Sequence, residues 1–171
     1  MGSLGRARSV IYTKYIKQHE IALSTFERIR AAFPALAMNL DLNPKHVDLA
    51  MDIPAQRGLS FKVDLNLQNV DELHLCASAL WMEWFPCTNP KRADKYFEAV
   101  CGLLSGEFRI LEHWRGKRPV KAKLQAPSHG GWKTVATWSV LLSIPWPPKS
   151  LKVVQNLPAV ESPRDLNGRP A

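Results

Sequence analysis

Residues 59–68 read Leu-Ser-Phe-Lys-Val-Asp-Leu-Asn-Leu-Gln, and this stretch gives the clearest structural signal in the chain. Apolar and polar side chains alternate through all ten positions. Because successive side chains of a β-strand point to opposite faces, one face of this segment is apolar and the other polar. Such alternation is typical of an antiparallel sheet with one face on the core and the other in solvent.

Five other segments have strand-like periodicity. Before residue 59, the segment 47–53 alternates in the same way, and after residue 68 a longer strand is predicted over 73–85. The second half of the chain contributes three more predicted strands, at 108–114, 120–125 and 132–143. Short turns rich in glycine, proline and asparagine separate most of these segments, which favours antiparallel neighbours.

Two segments are predicted to be helices. Residues 10–33 repeat apolar side chains at intervals of three and four, and Pro34 ends the repeat because the residue before a proline resists the helical region. The second helix has clear boundaries. Asn89 can cap it, Pro90 suits its first turn, and Gly106 marks its end.

The order of these elements is helix, three strands, helix, three strands, or α-βββ-α-βββ. We therefore expect one α+β domain over residues 1–144, built on a single, predominantly antiparallel sheet of about six strands. Both helices are expected to pack on one face of that sheet. Residues 145–171 are rich in proline, which predicts an extended C-terminal tail that lies on its own domain or on a partner subunit.

Composition bounds the class of protein. The chain has 171 residues, of which 46% are hydrophobic and 22% charged, as in an ordinary globular domain. No apolar run approaches the roughly 20 residues that cross a bilayer, and the N-terminus lacks a signal-peptide pattern. We expect a cytoplasmic protein without membrane contact. Its cysteines, Cys76, Cys87 and Cys101, have no metal-binding or redox spacing, so reduced thiols and no metal or cofactor are expected.

The common catalytic motifs are missing from the sequence. It contains neither a phosphate-binding glycine loop nor the zinc-protease and serine-hydrolase signatures. These absences disfavour the corresponding enzyme classes, and we lean towards a function without catalysis.

Two carboxylates occupy apolar positions of predicted strands. Glu83 and Glu112 fall in the register of Trp81 and Trp114. A buried carboxylate with a perturbed pKa is the usual chemistry of an acid or base, so these four residues predict an aromatic-lined pocket between sheet and helices. A bulge or strand end that lets the carboxylates reach water is the alternative. The leading hypothesis is a non-catalytic ligand- or partner-binding domain. A rival is an enzyme of unrecognised type with Glu83 or Glu112 as its acid or base.

A basic hairpin is the second feature with functional potential. Residues 107–133 contain seven basic and two acidic side chains, so they contribute +5 of the net charge of +8. The residues that could contact phosphates are Arg109, Arg115, Lys117, Arg118, Lys121 and Lys123. A basic two-stranded ribbon with nearby tryptophans can bind nucleic acid, which is the alternative function. The same lysines could simply keep a sheet face soluble.

One predicted strand has aromatic side chains on both faces, which indicates that something packs on its outer face as well as on its core face. Trp84 has the opposite parity to Trp81 within residues 73–85. Either the C-terminal tail or a second subunit could cover the outer face, and we favour a homodimer.

Overall fold

Two helices and two antiparallel sheets form the part of the chain that the computed structural model describes, residues 3–140 and 149–157, with side chains at 16–140 and 150–157. The helices are α1 (Ser3–Ala32) and α2 (Pro90–Ser105). The strands are β1 (Asn39–Asp41), β2 (Leu49–Ile53), β3 (Val63–Gln68), β4 (Glu72–Ala77), β5 (Leu80–Trp84), β6 (Arg109–Arg115), β7 (Arg118–Ser128), β8 (Gly131–Ser139) and β9 (Lys149–Gln155). The α+β class with antiparallel strands is therefore confirmed.

Helix α2 begins and ends at the predicted residues. The Asn89 side chain accepts a hydrogen bond from Lys91 N at 3.0 Å, and Pro90 occupies the first turn, where its missing N–H has no helical partner to lose. At the other end, Gly106 has φ +80°, a left-handed conformation that glycine adopts readily, and its N–H donates to Leu103 O. Local sequence therefore sets both boundaries of α2.

The first sheet contains β1 to β5 in chain order, each strand antiparallel to the next. Of the strand predicted over residues 59–68, only Val63–Gln68 forms β3. It keeps the predicted alternation, because Val63, Leu65 and Leu67 are buried while the residues between them are partly exposed. Both helices contact the apolar face of this sheet. In α1, Phe26 and Ile29 are fully buried against it. The opposite, outer face of the first sheet carries mostly polar side chains.

The prediction of one six-stranded sheet in the order α-βββ-α-βββ is wrong. Five strands, beginning with the unpredicted β1, lie between the helices, and four described strands follow α2. Residues 73–85 form a hairpin, β4 and β5, because the chain turns at Ser78 and Ala79, where Ser78 has φ +51°. The strands after α2 form a separate second sheet in the order β8-β7-β6-β9. The Ser78–Ala79 turn also reverses which residues of β5 face the core, as described below.

Part of the predicted tail belongs to the second sheet. Within residues 145–171, β9 pairs antiparallel with β6 along its whole length. The buried Asn156 then ties this sheet to the first: its side chain donates to Gly58 O at 2.7 Å and Leu104 O at 2.6 Å, and accepts from Ser60 N at 3.1 Å. Residues 145–148 and 158–171 of the predicted tail lie outside the described residues.

The two sheets share one hydrophobic core. Ile110, Ala122 and Leu124 of the second sheet belong to the same buried cluster as the first sheet and the helices, and β5 contacts β7 and β8. Across the described ranges, neither helix combines the length and apolarity needed to cross a membrane.

Candidate functional site

Glu112 is buried among structural hydrogen bonds. Its side chain has no solvent exposure, so its predicted core-side position on β6 is correct. One carboxylate oxygen accepts from Ala79 N at 2.9 Å and the other from the indole N–H of Trp114 at 2.8 Å. Because both oxygens have protein donors, Glu112 fastens β6 to the β4–β5 turn.

Glu83 and Trp81 face away from the helices. In β5 the core positions belong to Leu80, Met82 and Trp84, whereas Glu83 is exposed and Trp81 is 42% exposed. The expected core-side orientation of Glu83 and Trp81 is therefore corrected to the outer face. The Ser78–Ala79 turn is the physical reason, since Ala77 pairs with Leu80 across it and the inward parity changes from odd to even residues.

The two predicted carboxylates do not come together. Glu112 contacts Ala79 at one end of β5 on the core side. Glu83 lies four residues further along, or roughly 13 Å at about 3.3 Å per residue, and on the opposite face. The proposed pairing of Glu83 with Glu112 in one pocket is thus replaced by two separate environments. Whether Glu83, Glu112, Trp81 or Trp114 contacts a ligand stays a prediction.

Two side chains, those of Glu72 and His74, lie close to Glu83 on the outer face of the first sheet. Glu83 lies directly across from His74 in the β4–β5 pairing, and Glu72 lies two residues before His74 on the same face. One imidazole nitrogen of His74 and one carboxylate oxygen of each glutamate lie within 4.8 Å of one another. We call Glu72, His74 and Glu83 the outer-face cluster.

The members of the outer-face cluster differ in exposure. His74 is only 2% exposed although it lies on the outer face, and the Trp81 ring contacts its imidazole at 5.1 Å between centroids. The Nε2 atom of His74 is 3.2 Å from a carboxylate oxygen of Glu72. Asn69 donates to that same oxygen at 2.8 Å, and this hydrogen bond, followed by that of His74, lowers the pKa of Glu72 below its usual value.

A cavity of about 330 Å³ lies between α2 and the second sheet. Its apolar wall consists of Trp84, Ala99, Phe108, Leu124, Val135 and Ala136. Its polar positions are Lys95, Glu98, Lys133 and Thr134. We call this cavity the α2 pocket. None of Glu83, Glu112, Trp81 and Trp114 lines it.

Close packing in α2 shapes one wall of the α2 pocket. A Cβ atom at Gly102 would stand 2.5 Å from Cγ of Phe108, so only glycine lets the ring lie this close to the helix. Phe108 is also anchored by its backbone, because its N–H donates to Gly102 O at 2.7 Å. The Phe108 ring consequently has a fixed place in the lining.

The predicted basic hairpin forms as β6 and β7. In its register Lys121 lies opposite His113 and Lys123 opposite Leu111, so the two lysines share the outer face of the second sheet. Arg115 pairs with Arg118 at the end of the hairpin, where Lys117 and Arg118 are exposed.

Both tryptophans suggested for base stacking already have partners. The guanidinium of Arg109 lies 4.0 Å from the centroid of Trp132, and Arg109 Nε also donates to Gln125 at 2.9 Å. Trp114 is turned towards the core side, where it donates to Glu112. The hairpin therefore offers charge on its outer face, while stacking on these two rings would need rearrangement.

The three cysteines are free thiols that are wholly or partly buried. Burial raises the pKa of Cys87 to about 12 and that of Cys101 to about 11, and it also raises the pKa of Cys76. Since the thiolate is the reactive form, a raised pKa lowers the reactive fraction of each thiol at neutral pH.

Fold and geometry together define an α+β protein with two antiparallel sheets, a small apolar pocket and a carboxylate–imidazole cluster. Comparison with protein-family models, with curated proteins and with solved structures finds no match. Function is therefore inferred from the contacts and cavities of this chain.

Sequence reasoning missed the residues of both sites except Glu83. Glu72 and His74 share a strand face at a spacing of two, a signal visible in the sequence. Their proximity to Glu83 depends on the Ser78–Ala79 turn, which has no glycine or asparagine to announce it. The α2 pocket combines α2 with strands of both sheets, and no local pattern predicts that.

Proposed function

We propose that this chain is a non-catalytic binding protein for a small amphipathic anion, held in the α2 pocket. The observation that carries the proposal is a cavity of about 330 Å³ between helix and sheet, lined by six apolar and four polar or charged residues. This volume is at the lower end of the roughly 300–1,000 Å³ typical of small-molecule sites. The ligand would thus be one compact ring system or a short alkyl chain.

The lining favours an apolar ligand body. Two aromatic rings, those of Trp84 and Phe108, face the cavity together with four aliphatic side chains. Trp84 is held in place by an edge-on contact with Tyr96 at 5.3 Å between ring centroids. A preformed aromatic wall reduces the side-chain ordering needed on binding, which favours affinity.

The charged positions favour a ligand with one negative charge. Lys95 and Lys133 outnumber the single acid, Glu98, among the residues lining the cavity. An anionic head near these ammonium groups would gain roughly 1 kcal/mol or more in a solvated setting. Specificity for the anion over a neutral analogue would be about fivefold, since 1.4 kcal/mol corresponds to about tenfold.

The proposal is tested with two fluorescent probes of similar shape, anilinonaphthalene sulfonate and neutral phenylnaphthylamine. The folded protein should bind the sulfonate about fivefold more tightly, as estimated from roughly 1 kcal/mol of Coulomb attraction. Lys133→Gln should remove most of this preference, and Ala136→Leu should weaken both probes by filling the cavity. Lys91→Gln is the matched control, because Lys91 is an exposed lysine of α2 outside the pocket. Equal binding of the sulfonate by the wild-type protein, Lys133→Gln and Ala136→Leu would refute the proposal.

A second candidate function is binding of nucleic acid by the outer face of the second sheet. Its support is the register that puts Lys121 and Lys123 side by side, near Arg109. The expected signature is an affinity that falls steeply as salt rises, since each neutralised phosphate releases a counterion. Lys121→Gln combined with Lys123→Gln should reduce that slope by about two. Affinity independent of salt would rule this candidate out.

Self-association and a reducing compartment complete the proposal. Phe85, next to β5, is 58% exposed, and Trp81 is 42% exposed. These exposed aromatic rings support a homodimer formed through the outer face of the first sheet near β5. Three free thiols support a cytoplasmic location. Light scattering tests the dimer: Phe85→Ser should shift the protein towards monomer. An unchanged mass for this variant would remove Phe85 from any interface.

A further inference from the structure

We propose that the outer-face cluster of Glu72, His74 and Glu83 is a binding site for one first-row divalent metal ion, with Zn²⁺ as the reference ion. The proposal is independent of the α2 pocket, because none of these three residues lines that cavity. It assigns a site where the sequence alone predicts no metal.

The distances suit a shared ion. Zinc bonds to nitrogen and carboxylate oxygen measure about 2.0–2.2 Å, so two tetrahedral ligand atoms lie roughly 3.3 Å apart. His74 Nε2 and the nearer Glu72 oxygen are 3.2 Å apart, and all three ligand atoms fit within 4.8 Å. Glu83 is exposed, so rotation of its side chain can close the remaining gap without moving the strands.

The electrostatics favour a cation at the cluster. Among the described residues, neither Glu72 nor Glu83 has a lysine or arginine within ion-pair distance, and His74 is the only basic partner of Glu72. Two carboxylates therefore flank one buried imidazole. A divalent ion would neutralise both carboxylates at once.

The imidazole of His74 is buried, and only one of its two nitrogens has a partner. The side chain is 98% buried, since its exposure is 2%, yet its Nδ1 atom has no hydrogen-bond partner. Buried polar atoms are paired in the great majority of cases, and an exception in a native structure calls for an explanation. Coordination through Nε2, the nitrogen that faces Glu72, does not pair Nδ1; what it explains is the position of a buried imidazole beside two carboxylates.

A neighbouring acidic pair on the same face shows the contrast. Asp52 and Asp64 lie opposite each other on β2 and β3, and the Lys62 ammonium is 2.7 Å from the first and 2.9 Å from the second. A lysine already neutralises that pair, and hydrogen bonding to Lys62 lowers the pKa of Asp52. The Asp52–Asp64 pair therefore has no need of a metal and provides a matched control.

The donor set narrows the class of ion. Imidazole nitrogen suits zinc, copper, nickel and iron, whereas magnesium and calcium prefer all-oxygen sites. Three protein ligands on a solvent-facing sheet leave at least one coordination position for water or a substrate atom. The cluster is thus an open site for a labile ion.

The test is a titration of chelator-treated, metal-free protein with Zn²⁺, followed by calorimetry. Wild-type protein should bind one equivalent, and Glu83→Gln should weaken binding at least tenfold. Because Glu83 is exposed, this variant should fold normally, as a urea unfolding curve can verify. Asp64→Asn should bind within twofold of wild type. Binding unaffected by Glu83→Gln, or weakened equally by Asp64→Asn, would overturn the assignment.

A spectroscopic readout locates the ion. Co²⁺ at the cluster should quench the fluorescence of Trp81, whose ring lies 5.1 Å from that of His74. Trp81→Phe should remove most of the quenching while leaving the Co²⁺ affinity within about threefold. Quenching of equal size in Trp81→Phe would place the ion near another tryptophan and refute the site.

Discussion

Replacing Glu112 tests whether this carboxylate is part of the scaffold. Glu112→Ala removes a fully buried side chain that accepts from Ala79 N and from the indole of Trp114. Glu112→Gln keeps the shape and one acceptor oxygen, but its amide NH₂ group must face one of the two donors. Glu112→Ala therefore removes both hydrogen bonds, whereas Glu112→Gln removes one of them.

The expected magnitudes follow from these donors. Each unsatisfied buried donor costs about 1–3 kcal/mol, so alanine should lower the free energy of unfolding by about 4 kcal/mol, including the lost packing. Trp114 is only partly buried, so its unpaired indole N–H should cost less than the fully buried limit. Glutamine loses one charge-assisted bond and should lower the free energy of unfolding by about 2 kcal/mol.

Urea unfolding followed by tryptophan fluorescence measures both free energies. Glu107→Gln is the control, because Glu107 is an exposed acid next to the same strand and should change stability by less than about 0.5 kcal/mol. Neither Glu112 variant should alter binding of the amphipathic probe or of Zn²⁺. If the free energy of unfolding of Glu112→Ala is within about 0.5 kcal/mol of the wild-type value, Glu112 does not stabilise the contact between β6 and the β4–β5 turn.

Three further predictions, on backbone strain, a buried amide and close packing, are checked by the same unfolding assay. Val70 has φ +74°, which is unfavourable for a β-branched residue, so Val70→Gly should raise the free energy of unfolding by about 1 kcal/mol. Asn69→Gly, at φ +49°, should change the free energy of unfolding less. Destabilisation by Val70→Gly would contradict this prediction. Gln18 is fully buried with both amide atoms unpartnered, so Gln18→Met should stabilise by about 1 kcal/mol, and a loss of stability would mean that the amide has a partner. Gly102→Ala should destabilise the protein by about 1–3 kcal/mol and weaken binding of the fluorescent probe, because the Phe108 ring must move. Adding Phe108→Leu to this variant should restore part of the stability. No restoration would mean that a different contact causes the loss.

The elements governed by local chemistry were predictable from the sequence. Both boundaries of α2 follow from Asn89, Pro90 and Gly106, whose effects act within one helical turn. Strand β3 and the β6–β7 hairpin follow from alternation along the strands and a short turn at Gly116. These predictions hold because they depend on neighbours in the chain.

Division of the strands between two sheets was not predictable in this way. Strand β9 joins the second sheet through pairing with β6, more than thirty residues earlier, although its sequence lies in a proline-rich region. Asn156 then links segments separated by up to 98 residues. Such pairings depend on tertiary contacts, and periodicity carries no information about the partner strand.

The Ser78–Ala79 turn, which the sequence does not predict, explains why Glu83 lies on the outer face and not in the predicted pocket. Within residues 73–85, apolar side chains occur at both parities near Trp84, so alternation is compatible with a continuous strand or with a hairpin. A two-residue turn pairs Ala77 with Leu80 and reverses the inward parity of all that follows. The same reversal that removes Glu83 from the predicted pocket brings it directly opposite His74. If the outer-face cluster binds Zn²⁺, Glu83 is a functional residue on the face opposite to the predicted one, and it serves a metal site where the sequence predicted none.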